Sequence, residues 1–303
     1  MTINLNCNLC GSISYARKGK IRAHRKILAT KILECSNCSL VFLDDDTHIS
    51  EFHYEQSLMH NGFFNLEESR IETKVDDLRR FRMLEVEIKD KHLIEIGSGN
   101  GGFLLQAKRL TKSVVGIEPE KMYHDTFKSE NLRIYSNIND YNNAVSHINV
   151  QKFDIVVSFH VIEHIKHPLE FLLQLLELVS SGGKVYLETP NSNDALIKLY
   201  DSEAFQNFTY WDNHLVLFNK KSFEYMLGKI TGLNFRSIPV QRYGIANHLY
   251  WLSKGEPGGH KKWNFVENSL INSQYEKLLA DLNMNDTLFY EITKMSPECK
   301  VKE

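Results

Sequence analysis

Short apolar runs rich in β-branched residues alternate with longer mixed stretches along this chain. Leu93, Ile94 and Ile96 form one such run and suit a buried parallel strand. Gly97, Gly99, Gly101 and Gly102 follow at once, and Phe103 to Leu110 then reads as a helix. Further strands are expected at Ser113–Ile117, Leu132–Tyr135, Phe153–Ser158, Lys184–Glu188, Leu233–Val240 and Asp286–Thr293. Helices are expected at Glu120–Glu130, Pro168–Val179, Lys221–Thr231 and Glu267–Leu282, with Gly182 and Gly183 breaking the second. Upstream, Leu66, Ile71, Val75, Leu78, Phe81 and Leu84 recur near helical spacing with charges between them, which predicts a helix over 66–89.

Composition adds a frame. The 303 residues are 42% hydrophobic and 24% charged, which suits one large globular domain with appendages. A formal net charge of −2 gives no overall bias toward nucleic acid or an anionic membrane. No apolar stretch approaches the ~20 residues of a membrane span. Met1 to Cys7 shows no basic region followed by an apolar core, so no signal peptide is visible and a cytoplasmic location is expected.

In a reducing compartment thiols read as metal ligands before disulfides. Cys7-Asn-Leu-Cys10 and Cys35-Ser-Asn-Cys38 are two knuckles, each able to aim two thiolates at one ion. The expectation is a structural Zn²⁺ held by Cys7, Cys10, Cys35 and Cys38, with no open position for chemistry. Cys299 is the odd thiol. Arg17, Lys18, Lys20, Arg22, Arg25, Lys26 and Lys31 lie between the knuckles. They read as a solvated hairpin before a phosphate-binding surface or an RNA contact.

The glycine turn carries the candidate chemistry. Strand, glycines and helix place bare N–H groups and a helix N-terminus beside a ligand. Glu118 ends the next strand, where a carboxylate can accept two ribose hydroxyls. Dinucleotide folds share such a turn, but three stretches together are more specific. Glu95-Ile-Gly-Ser-Gly-Asn-Gly101 resembles motif I of class I S-adenosylmethionine (SAM) methyltransferases. Phe153 to Ile165 resembles their fourth strand and its following loop, and Leu178 to Pro190 their Gly-Gly turn and fifth strand.

The resemblance implies an α/β Rossmann-like fold of seven strands, the last antiparallel. It implies SAM held by Glu95, Gly97, Ser98, Gly99, Gly101 and Glu118, with Ser158, Phe159 and His160 lining the methionine end. Asn137, with Asn139 and Asp140 as competitors, falls where relatives hold the adenine. Tyr54 falls where relatives often place an aromatic near the acceptor. His160, Glu163, His164 and His167 crowd one turn; a metal there is conceivable, but the family's Glu-His pair more often shapes the loop over the cofactor. His214, in the aromatic loop Phe205 to His214, is the preferred general base and His164 the alternative.

The expected organisation is a zinc ribbon over 1–65, a linking helix over 66–90 and a methyltransferase domain over 91–303, with a substrate cap or dimer contact at 241–285. Asn247 to His260 resembles methyltransferases of bacterial surface-polysaccharide pathways. The expected activity is therefore O-methylation of a sugar, free or nucleotide-linked, with a phosphorylated or nucleotide-linked small molecule as partner. An RNA methyltransferase using the basic hairpin and a non-catalytic SAM-binding module are the alternatives. Nucleic acid is the less favoured partner, and a homodimer stays open.

Overall fold

The protein is described by a computed structural model covering residues 6–20, 30–49, 54, 65–145 and 152–302. Arg22, Arg25 and Lys26 of the basic hairpin lie outside the described residues. The central sheet is built from β4 (His92–Ile96), β5 (Ser113–Ile117), β6 (Arg133–Tyr135), β7 (Phe153–Phe159), β8 (Val179–Pro190), β10 (Leu233–Val240) and β11 (Thr287–Lys294). Its order is β10-β11-β8-β7-β4-β5-β6. All neighbours are parallel except β11, which runs antiparallel to both β8 and β10. This is the expected Rossmann-like sheet of seven strands with an antiparallel last strand. Strand order reverses between β4 and β7, so the ends of these two strands open a crevice for a ligand.

Two apolar layers hold the sheet. On one face, Phe171, Leu172, Leu175 and Leu176 of α5 (Pro168–Leu178) and Phe223, Met226 and Leu227 of α8 (Lys220–Gly228) form a core with Val156, Val185 and Tyr290. On the other, Leu84 and Ile88 of α1 (Leu66–Ile88), Phe103 and Leu104 of α2 (Gly102–Ala107) and Phe127 of α3 (His124–Ser129) pack with Leu93, Ile155 and Val157. Each fully buried Leu or Phe here contributes roughly 1.5–3 kcal/mol relative to exposure.

Three local features depart from the expected pattern. β8 begins at Val179, before Gly182 and Gly183, because an irregularity between Phe153 and Ile155 of β7 absorbs the extra residues. Beyond the short α6 (Ala195–Lys198), residues 205–209, expected as part of an aromatic loop, lie in α7 (Glu203–Thr209), started by Ser202 Oγ accepting from the Phe205 N–H at 3.3 Å. In α1, Ile71 and Val75 are 63% and 77% exposed, while Ser69, Asp77 and Arg80 are buried.

A second sheet runs β1 (Tyr15–Lys20), β2 (Lys31–Cys35), β3 (Val41–Leu43) and β9 (Val216–Leu217). β9 comes from the large domain and pairs Val216 with Phe42 and Leu217 with Val41. The cysteine module therefore completes its sheet with a strand from beyond β8. After β10 the chain folds into α9 (Ile245–Lys254), α10 (Gly259–Lys262) and α11 (Ser269–Asp281) before returning through β11. Among the described residues no helix is long and apolar enough to cross a membrane.

Candidate active site

The crevice at the strand reversal contains a cavity of about 360 Å³. Gly97 opens it at φ 77°, where a Cβ would come within 2.3 Å of a Val161 methyl. Only glycine fits this position without strain and collision. The Gly97 and Ser98 N–H groups donate to Ile117 O at 2.9 and 3.0 Å, tying the turn to β5. Asn100 ties it to α1: its Nδ2 donates to Ser69 Oγ at 2.9 Å and to Thr73 Oγ1 at 3.0 Å.

Glu118 hangs from the end of β5 into the cavity. Its Oε2 accepts from the Gly99 N–H at 2.7 Å and its Oε1 from the Glu120 N–H at 3.0 Å. Burial pushes its pKa up to about 7 against the pull of those two donors. Glu95 lines the same cavity, and its buried Oε2 has no hydrogen-bond partner among the described residues. Burial first, and the Asp77 charge second, push the Glu95 carboxyl well above the usual range. Ser158, expected at the methionine end, does not line the cavity: its buried hydroxyl donates to Ile96 O at 3.0 Å, while the His160 N–H donates to Glu188 O at 2.8 Å.

A charge cluster that the sequence did not announce forms the far wall. Glu188, with no side-chain exposure, accepts from Arg80 Nη2 at 2.7 Å and Arg79 Nη2 at 2.9 Å. His160, at φ 54°, places Nε2 3.0 Å from Glu188 Oε1 and Nδ1 3.1 Å from Glu163 Oε1. Both ring nitrogens thus face carboxylates. Burial and the Arg242 charge oppose a proton on this ring, but the two carboxylates outweigh them and its pKa rises. Burial would raise Glu188 as well; Arg80, His160 and Arg79 instead hold it well below the usual range. Arg242 grips Asp76 of α1 through Nε, at 3.0 Å, and Nη2. Burial opposes the Asp76 charge, yet Arg242 brings its pKa down to about 2.

Glu163, His164 and His214 form a third group, with donor atoms within 4.8 Å of one another. His164 Nδ1 lies 2.7 Å from Asn213 O and His214 Nδ1 2.8 Å from Thr209 O. A carbonyl only accepts, so each Nδ1 carries a proton and each ring is fixed in orientation by that bond. The two rings stand 5.2 Å apart between centroids. His164 lines the cavity with Tyr54, whose hydroxyl donates to His164 O at 2.8 Å; His214 lies behind it. Burial, then the His164 charge, lowers the His214 pKa to about 3. His167 is exposed and outside the group. The same three donors have the composition of a divalent-cation site.

Of the residues expected to hold the cofactor, Glu95, Gly97, Ser98, Gly99, Glu118, Phe159 and His160 line this cavity. Gly101 lies just behind it as the left-handed N-cap of α2. Asn137 instead lines an adjoining cleft of about 580 Å³ that shares Gly97, Pro119 and Val161. Its Oδ1 accepts from the Asp140 N–H at 2.8 Å and starts α4 (Ile138–Val145). Thr73, Asp76, Asp77, Arg80 and Arg242 complete the cavity and were not expected. The one sequence signal for the cluster was a carboxylate, Glu188, inside an apolar strand run.

These residues fit SAM: a bare glycine turn, a carboxylate set for a diol, and an unpartnered buried carboxyl oxygen where an ammonium would sit. The four thiols also fit zinc. Cys7 and Cys38 Sγ lie 3.6 Å apart and Cys10 and Cys35 Sγ 3.5 Å apart, with all four within 4.8 Å. Four sulfurs at ~2.3 Å from one tetrahedral ion would be separated by ~3.8 Å. The Cys7–Cys38 hydrogen bond brings the Cys7 pKa down to about 5 and pushes the Cys38 thiol up, so without a metal the pair shares one proton.

Sheet order, glycine turn and paired carboxylates define a class I methyltransferase architecture. The methyltransferase domain family matches residues 67–237, and the chain belongs to that family. It is 27% identical over 112 residues to the ubiquinone biosynthesis O-methyltransferase of Coxiella burnetii, covering 36% of this chain and 47% of that one. It is 26% identical over 152 residues to the tRNA U34 carboxymethyltransferase of Campylobacter fetus, covering 48% and 54%. The chain thus spans about half the length of these curated relatives. Among solved structures, a SAM-dependent methyltransferase from Thermotoga maritima, titled a possible histamine N-methyltransferase, aligns at TM-score 0.48 and 14% identity over 82% of this chain and 100% of that one.

Proposed function

We propose that this protein is a SAM-dependent methyltransferase acting on a hydroxyl oxygen of a sugar, nucleotide-linked or otherwise phosphorylated, in surface-glycan assembly. The observation that carries the reading is His164: its imidazole lines the cofactor cavity, oriented by Nδ1 at 2.7 Å from Asn213 O. SAM, when bound, supplies an electrophilic methyl group on a sulfonium whose charge is lost on transfer. The glycine turn and Glu118 hold the nucleoside, and Glu95 meets the amino-acid end.

An alcohol must lose its proton as its oxygen attacks, and a base near neutral pKa does this best. His164 Nε2 takes that proton, and the Glu163 carboxylate beside it stabilises the imidazolium. We give this role to His164 rather than His214, which stays behind the cavity and whose lowered pKa makes it a weak base. His214 then packs against the base and orients it. Tyr54 and the Arg242–Asp76 pair wall the reacting atoms from water, so placement does the remaining work.

The curated relative named as an O-methyltransferase supports oxygen as the acceptor atom. RNA is the second reading, favoured by the relative named for tRNA and by the basic residues of 15–31. Within that segment Lys18 is already paired with Glu34 at 2.7 Å. The deciding assay measures S-adenosylhomocysteine release with nucleotide sugars, small phosphorylated metabolites and structured RNA. Turnover of a nucleotide sugar, lost in His164→Ala and retained in part in His214→Ala, is the expected result. Turnover of RNA alone, with a steep salt dependence, would overturn it.

A further inference from the structure

A second cavity of about 300 Å³ lies between the cap and the ends of β8 and β11. It shares His160 and Arg242 with the cofactor cavity, so those two side chains form the partition. One wall is aromatic. Phe205 and Phe208 of α7 each stand 5.2 Å from Trp251 of α9 between ring centroids. Trp251 is buried, whereas Phe208 is 58% exposed at the rim.

The facing wall is polar, and among the described residues its cations are already paired, His160 with Glu188 and Glu163. Arg242 is engaged in its two-point grip on Asp76. Asp194 and Asp286 both line the chamber. His248 is tied to Tyr275 Oη at 2.7 Å, and burial lowers its pKa to about 4, so it is neutral at working pH. His260 Nδ1 is buried with no hydrogen-bond partner among the described residues. A phosphate entering this chamber would meet two carboxyls and no unpaired positive charge. An uncharged ring with hydroxyls on its edge and C–H groups on its face would meet a complement to both. An aromatic wall with a few convergent polar groups is also the usual composition of a small-ligand site.

We infer that this chamber is the acceptor subsite: a pyranose ring lies against Trp251 and Phe208, with a hydroxyl bonded to His260 Nδ1. Any nucleoside diphosphate attached to the sugar stays outside the rim. The ring then presents its reactive hydroxyl toward the partition at His160 and the cofactor cavity beyond it. This assignment rests on the sugar-methylation reading and adds where the sugar binds and which part of the donor the protein reads.

The test uses the full-length protein with UDP-glucose, UDP-N-acetylglucosamine, GDP-mannose and dTDP-glucose as probes. Phe208→Ala and His260→Ala are chosen because Phe208 is largely exposed and His260 half-buried, so neither removes a core side chain. In each variant KM for the accepted sugar nucleotide should rise about tenfold or more, as loss of a stacking or hydrogen-bonding partner does. Meanwhile kcat should stay within about threefold, because uniform binding is what is lost, and S-adenosylhomocysteine affinity and thermal midpoint should not move. Turnover with KM unchanged in both variants would overturn the chamber assignment and leave sugar methylation standing. No turnover of any of the four probes, with turnover of RNA or of a non-sugar metabolite, would overturn the sugar reading and the chamber with it.

Discussion

Glu118 does two jobs at once. Its carboxylate holds the glycine turn through Gly99 and Glu120, and it is the group placed to accept the ribose hydroxyls of SAM. Only the ionised form can accept from all of these donors, and burial sets its pKa at about 7. Binding should therefore favour the ionised form and draw off its proton. The S-adenosylhomocysteine Kd, measured by calorimetry, should be flat above pH 8 and weaken below pH 7 by up to about tenfold per unit. Glu118→Gln, which cannot ionise, should bind more weakly and lose that slope. A wild-type profile flat from pH 6 to 8 would show that the carboxyl is not titrating at the site. Glu95, Gly97 and Glu118 were legible in the sequence because spacing within one βαβ unit nearly determines their place. Asn137 was less so: an amide after a strand serves equally well to start a helix, as it does for α4.

At the scale of elements, α1 shows where periodicity stops informing. The apolar repeat of Ile71, Val75 and their neighbours foretold the helix, and its ends match within a residue. It did not foretell which face turns inward. The buried middle of α1 is polar because it packs over the glycine turn and the Glu188 cluster rather than over a purely apolar sheet. Asp77 meets the turn, and Arg79 and Arg80 reach Glu188. That carboxylate is fully buried and compensates two guanidiniums and the His160 ring, so removing its charge leaves Arg79, Arg80 and His160 with one carboxylate each, Asp76, Asp77 and Glu163. Glu188→Gln, nearly the same in shape, should lower unfolding free energy by about 3–5 kcal/mol, read from urea denaturation at pH 7. A loss under about 1 kcal/mol would mean that the cluster relaxes toward water and contributes little.

Across the whole molecule, the strands and their parallel order were readable because each short apolar run is flanked by turn residues. The insertion at 241–285 was readable as a segment but not its fold, and the seam between the cysteine module and the large domain was not readable, since both depend on contacts between distant segments. That seam has a consequence. β3 pairs with β9, Asn219 Nδ2 donates to Ser39 O at 3.0 Å, and His48 Nε2 donates to Asp212 O at 2.7 Å. Residues 212–219 are thus held from the module side, and within them Asn213 O fixes His164 while His214 packs behind it. Among the described residues the hydrogen bonds of the glycine turn run instead to β5 and α1. A metal that holds Cys7, Cys10, Cys35 and Cys38 together should therefore govern the base and not the cofactor. Metal analysis should find one zinc per chain. Its removal by a chelator, or Cys35→Ser, should lower the thermal midpoint and melt the short β1–β3 sheet, as loss of a structural zinc does. S-adenosylhomocysteine affinity should stay within about threefold, while turnover of the accepted substrate falls about a hundredfold, the scale expected when a catalytic group shifts by about 1 Å. Equal loss of both would place the metal's influence on the whole fold, and loss of neither would separate the module from catalysis.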